Sequence, residues 1–190
     1  MKLESEEDLM LCRKSYAVLS HVWIPGGREI TFDESKVVMS KEKAARDKDD
    51  LETQFQTLST QNEHTGRPEL LNAIKMAEKL KYTYLWIDTC CINKSNHTEL
   101  AEAISSMADW YTHAEVCLVY LDDFEPGPSK LDLLSDAKTR WATRGWTLQE
   151  IVTCRRAMVF NRNWEQIACL PLPAFLGSHS AWHVVVGSSM

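Results

Sequence analysis

Three short segments of this 190-residue chain bring together side chains able to bind or react. In Tyr84-Leu-Trp-Ile-Asp-Thr-Cys-Cys-Ile-Asn-Lys94 an apolar run ends abruptly in Asp88, two adjacent thiols and an amide beside an ammonium. That is the pattern of a strand delivering polar groups to a sheet edge. In a sheet of alternating strands and helices, ligands bind at the carboxyl ends of the strands. In Leu19-Ser-His-Val-Trp23, Ser20 and His21 interrupt a second apolar run near its end. In Arg140-Trp-Ala-Thr-Arg-Gly-Trp-Thr-Leu-Gln-Glu150 two tryptophans, two arginines and a glutamate crowd into one turn-and-helix unit. A parallel sheet can bring all three segments to one edge.

Each reactive residue type has a plainer alternative. Cys90 and Cys91 suggest a nucleophile, yet no fixed spacing ties them to a histidine base, and a thiol at a strand end is more often a small packed apolar group. Ser20 and His21 suggest a hydrolase, but there is no G-x-S-x-G elbow, and neighbours in a regular strand face opposite sides of the sheet. His179 and His183 have a spacing that suits a metal on a helix, with no cysteine pair or acidic partner beside them. The site is therefore read without a metal. Asp88 contacts a ligand, caps the loop after its strand, or pairs with Arg144 or Lys94. Thr147 with Glu150 three residues later has the form of a capping box, so Glu150 either serves its own helix start or faces the edge. The local sequence leaves that choice open.

Periodicity names the elements that must position these residues. Tyr16 to Trp23, β-branched and aromatic, reads as a first strand closed by Pro25-Gly26-Gly27, with a short extended return from Arg28 to Phe32. From Ser35 to Pro68 the chain turns charged and polar, a solvated helix or mobile insertion. After Pro68, the residues Leu70, Leu71, Ile74, Ala77 and Leu80 recur at helical spacing and lead into the strand ending at Asp88. Asn96 with Glu99 predicts a capped start to one long helix running to Ala114, on which the spacing of Met107, Trp110 and Tyr111 makes the two aromatics core residues. Val116 to Leu121 reads as a central buried strand closed by Asp122-Asp123. Short helices over Leu131 to Ala137 and Arg140 to Thr153 precede a last strand, Ala157 to Phe160. This alternation predicts a single-domain α/β fold with a mostly parallel sheet flanked by helices on both faces.

Composition narrows the function classes. The formal charge of −6 argues against a general nucleic-acid binder, and 44% hydrophobic with 25% charged residues fits a globular domain. No window holds the roughly 20 apolar residues of a membrane span. The N-terminal residues carry no signal-peptide apolar stretch, and the six cysteines lie mostly in apolar runs, so free thiols in a cytoplasmic compartment are expected. Residues 1–14 read as a lead, 15–168 as the domain and 169–190 as an atypical tail, because no charged residue follows Glu165. The expectation for that tail is disorder or a truncated or differently spliced product, with a membrane-peripheral segment as a lesser reading.

The three segments, with the run after Lys94 and Trp164 in the closing Asn-Trp pair, resemble the fungal heterokaryon-incompatibility (HET) domain over roughly residues 15 to 168, in a branch associated with basidiomycete sequences. The chain departs from the family's usual aromatic at His21, glycine at Ile24 and glutamine at Lys94. The resemblance implies a death-triggering effector in non-self recognition, and more distantly a flavodoxin-like fold related to Toll/interleukin-receptor (TIR) domains, whose enzymatic members cleave NAD at the nicotinamide-ribose bond. On that footing NAD is a substrate and no resident cofactor is implied. Glu150 then falls near the helix that carries the TIR catalytic glutamate, in a cleft formed by the strand ends near Trp23, Asp88 and Asp122, and its carboxylate would steady an oxocarbenium-like ribose. Trp23 or Trp146 would stack on a flat base, Arg144 would hold a phosphate, and Ser20 and Asp88 would complete the ligand contacts. The alternatives are a non-enzymatic module that works by homotypic self-association, with an unknown incompatibility partner, and an inactive truncated copy.

Overall fold

The computed structural model describes residues 15–24, 26, 29–36, 66–125 and 139–171. Most of the polar insertion, the helix expected over Leu131 to Ala137, the lead, the pair His179 and His183, and the tail beyond residue 171 lie outside the described residues.

Five strands form one sheet in the order β2-β1-β3-β4-β5: β1 is Tyr16–Ser20, β2 Tyr84–Trp86, β3 Val116–Tyr120, β4 Arg156–Phe160 and β5 Gln166–Pro171. The first four are mutually parallel, and β5 runs antiparallel to β4. Helix α1 (Arg67–Lys79) crosses from β1 to β2. The short α2 (Asp88–Cys91), then α3 (His97–Ser105) and α4 (Met107–His113), lead to β3. A 3₁₀ turn (Trp141–Thr143) and α5 (Gly145–Thr153) precede β4. The expected α/β architecture, a mostly parallel sheet with flanking helices, is what forms. No helix among the described residues is long and apolar enough to cross a membrane.

The period-2 alternation of β1 divides the core. Ala17 and Leu19 pack in one cluster with Leu70, Leu71 and Ile74 of α1, whereas Tyr16 and Val18 pack in another with Ala103 of α3, Trp110 and Tyr111 of α4, and Ile151 of α5. Both faces of the sheet are thus covered, which is why β1 and β3 read as continuous apolar runs. The second cluster centres on aromatics. Trp86 stacks on Trp110 with centroids 5.2 Å apart, Tyr16 and Tyr111 approach them edge-on, and the Tyr16 hydroxyl donates to the Trp110 carbonyl at 2.8 Å.

Several elements depart from expectation for local reasons. The first strand stops at Ser20, so His21 and Trp23 lie beyond it, and the return expected over Arg28 to Phe32 gives way to helix over 32–36. The long helix breaks at Ser106, which ends α3 and begins α4. Asn96 caps α3 by accepting from the Thr98 and Glu99 amides, but the Glu99 carboxylate turns to the Asn93 amide, so only half of the capping box forms. The helix expected from Arg140 to Thr153 is split at Arg144, whose backbone is extended.

Strand β5, unforeseen and running past the expected domain end at residue 168, is created by a tight turn. The Asn161 side-chain oxygen accepts from the Asn163 and Glu165 amides, Trp164 takes a positive φ of 60°, and its ring stacks on Tyr120 with centroids 4.5 Å apart. These bonds reverse the chain whatever strand preference Gln166 to Pro171 has.

Because Trp110 is 1% exposed and touches both Trp86 and Tyr16, Trp110→Ala is expected to cost about 3–5 kcal/mol, read as a lowered urea midpoint with little change in slope.

Candidate functional site

Since β1 lies between β2 and β3, the crossover through α1 leaves β1 on one side and the crossover through α3 and α4 returns on the other. The carboxyl end of β1 is therefore the point where the winding reverses, which opens a crevice. A cavity of about 280 Å³ occupies it, near the lower end of ligand-pocket sizes. His21 and Trp23 follow β1; Asp88, Ile92 and Lys94 follow β2; Leu100, Ile104, Met107 and Tyr111 come from α3 and α4; and Arg144, Trp146 and Glu150 come from the start and body of α5.

Glu150 faces this cavity and leaves its helix start alone. Helix α5 has no side-chain cap, and Thr147 instead donates back to the Trp141 and Arg144 carbonyls at 2.6 and 2.7 Å. The Glu150 Oε2 accepts from the Ser20 hydroxyl at 2.5 Å, and that hydroxyl accepts from the Trp141 indole N–H at 2.7 Å. Ser20, placed among the ligand contacts by the sequence, is 0% exposed and stands behind the wall. Its hydroxyl is directed at the glutamate.

The other expected contacts line the cavity directly. Asp88 accepts from the Trp23 indole N–H at 2.8 Å, so it neither caps a loop nor pairs with Arg144 or Lys94. The Lys94 ammonium stands 3.9 Å from the Trp23 ring centre, and the Arg144 guanidinium 5.7 Å. A cation thus stands over one face of Trp23, which is still 44% exposed, and Trp146, 55% exposed, is a second open aromatic at the mouth. Among the described residues neither Lys94 nor Arg144 has a carboxylate within ion-pairing distance. Asp122, expected in the cleft, does not line it and forms an ion pair with Arg140.

The comparisons with known proteins bear on this arrangement. The family described as "Heterokaryon incompatibility protein (HET)" matches residues 16–136. The chain belongs to the HET family. It is 35% identical over 159 residues to the vegetative incompatibility protein HET-E-1 of Podospora anserina, an alignment covering 80% of this chain and 10% of that protein. The chain thus spans about a tenth of that relative's length. No solved structure matches it.

Burial sets the electrostatics of this HET domain's cavity. The Glu150 carboxyl is raised above its ordinary range, first by burial and then by Asp88, against the opposing pull of the Ser20 and Tyr111 hydroxyls and of His21. Cys90 is buried, and its thiol is pushed well up by its hydrogen bond with Cys91 and by burial, which disfavours the thiolate that a nucleophile needs. Among the described residues no group of three or more His, Cys, Asp or Glu is placed to hold a metal ion.

Sequence reasoning missed Glu69 and set His21 aside. It also assigned Tyr111 to the core alone, although the residue is both core and cavity wall, its hydroxyl donating to the Leu19 carbonyl at 3.2 Å. The signal for His21 was the alternation of β1. Ser20 shares the face of Tyr16 and Val18 and meets α5, whereas His21 continues the face of Ala17 and Leu19 and meets Glu69 of α1 at 3.1 Å. The two side chains do face opposite sides, yet both reach the site's walls because the strand ends there.

Ser20→Ala removes the partner of both a buried indole N–H and a carboxylate, so a loss of about 1–3 kcal/mol is expected in denaturant titration. Glu69 supplies a pH test. Its carboxyl is pushed up to about 7, by burial first, from an ordinary 4.5. A raised carboxyl binds its proton more tightly when folded, so its contribution to stability is fully present below about pH 4.5 and is lost as pH rises through about 7. Thermal melts between pH 4.5 and 8 should show this decline, flattened in Glu69→Gln.

Proposed function

We propose that this HET domain acts as an incompatibility effector, triggering cell death by cleaving NAD at the nicotinamide-ribose bond, with Glu150 as the catalytic carboxylate. The observation that carries this reading is the placement of Glu150. A half-buried carboxylate held by Ser20 faces a crevice with two exposed tryptophans and two cations that have no carboxylate partner among the described residues.

The chemistry is balanced without a cofactor. The bond from ribose C1′ to the nicotinamide nitrogen breaks, and its electron pair leaves with neutral nicotinamide. The positive charge left on C1′ and the ring oxygen is steadied by the ionised Glu150. Water then adds to C1′ and releases a proton, giving ADP-ribose. A cavity of about 280 Å³ suits one nucleoside half of the dinucleotide, with the phosphates toward Lys94 and Arg144 and the remainder along Trp146.

Purified domain incubated with NAD, monomeric and clustered, is expected to release nicotinamide, with at least a hundredfold loss in Glu150→Gln; no release from either form of the wild type defeats the reading. Because the ionised carboxylate is the active form and its pKa is raised, the rate should fall as pH drops, with a midpoint above 4.5. Ser20→Ala removes a hydrogen bond that lowers that pKa, so the acid limb should move to higher pH.

The second reading is a non-enzymatic module that acts by self-association with further copies. It is favoured by exposed apolar side chains on surface helices, Ile104 at 48% and Val152 at 53%. Under it, Val152→Glu abolishes clustering and signalling while Glu150→Gln leaves both intact.

A further inference from the structure

His21 and Glu69 are buried titratable groups that the cleavage chemistry does not use. The His21 side chain is 2% exposed and forms the partition between the main cavity and a space of about 10 Å³ behind it, room for about one water molecule. Its Nδ1 lies 3.1 Å from Glu69 Oε1, and its Nε2 lies 3.7 Å from Asp88 Oδ1. Asp88 in turn accepts through Oδ2 from the Trp23 indole. A line of contacts thus runs from α1 through the end of β1 to the cavity wall.

We propose that His21 is a positioning residue, an imidazolium clamped between Glu69 and Asp88 that holds the Asp88 carboxylate, and through it the Trp23 indole, in place on the cavity wall. Neither ring nitrogen meets hydrogen-bond geometry, so the attraction is one of charge: it needs a protonated ring facing ionised carboxyls, Asp88 on one side and Glu69, as it ionises near pH 7, on the other. A neutral ring would leave both nitrogens and the buried Glu69 Oε1 without compensation.

The surroundings favour the cation. Burial alone pushes the imidazole down, but Glu69 from α1, Asp88 from the start of α2, Glu29 from the loop after β1 and Glu150 from α5 together outweigh it and hold the ring above its ordinary range. The other titratable groups on these walls do not oppose this: the Cys90 thiol and the Tyr111 phenol are both pushed well up and stay neutral. Lys94 and Arg144 stand on the main cavity, toward Trp23. The inference rests on the contacts of His21 with Glu69 and Asp88 and stands whether or not the cavity cleaves NAD.

Nuclear magnetic resonance on the whole chain, with the histidine ring and tryptophan indole nitrogens labelled, tests it. His21→Gln and Trp23→Phe assign the two signals. The His21 ring is expected to titrate with a midpoint above about 6.5, and the Trp23 indole resonance to move with that same midpoint. In Glu69→Gln both midpoints should fall together by about one unit, a tenfold change in proton affinity. An indole resonance that ignores the His21 titration overturns the proposal, as does a His21 midpoint unmoved by Glu69→Gln. Should that variant fail to fold, the wild-type titration decides alone: a shared midpoint supports the clamp and an unresponsive indole refutes it.

Discussion

The Ser20 hydroxyl, accepting from Trp141 and donating to Glu150, is the contact on which the site depends. Its two bonds pin the 3₁₀ turn and α5 to the end of β1, across sequence separations of 121 and 130 residues. A buried hydrogen bond to a charged group contributes about 1.5–3 kcal/mol, so the same atom that orients the carboxylate also fastens the helix that carries it. Site geometry and stability are coupled through one hydroxyl.

The parity of β1 then distributes the chemistry. One residue earlier or later, a side chain meets the opposite helical layer: Ser20 meets α5 and His21 meets α1. The strand stops there, so groups from both layers converge at one crevice without breaking the pleat. The reversal of winding at β1 supplies the crevice itself. The carboxylates Glu29, Glu69, Asp88 and Glu150 gather around one imidazole inside, while Lys94 and Arg144 remain at the rim. Such an arrangement separates an interior suited to developing positive charge from an entrance suited to anions.

The apolar runs of β1, β3 and β4, the periodicity of α1 and the polar ends of the strands were legible because each follows from a local pattern of burial. Strand β5 was not, since it is imposed by the Asn161 turn and by the exposed edge of β4, neither of which shows in the composition of Gln166 to Pro171. The break at Ser106 was hidden for a similar reason: the apolar spacing continues through it, while α4 beyond the break packs against α5, a remote part of the chain.

The sequence by itself determined the family, the alternation of strands and helices, and the strand-end segments that bear reactive side chains, because these reside in order and spacing. Only the tertiary structure decided what those side chains do. Thr147 and Glu150 have the spacing of a cap, yet Thr147 turns to two carbonyls and Glu150 to Ser20. Asp88 has a cationic candidate near in sequence, Lys94, yet it takes the Trp23 indole and the His21 ring. For Glu150 and Asp88 the partners are remote along the chain, and the choice among competing partners is made by which groups the sheet brings within about 3–4 Å of one another, a proximity no local pattern encodes.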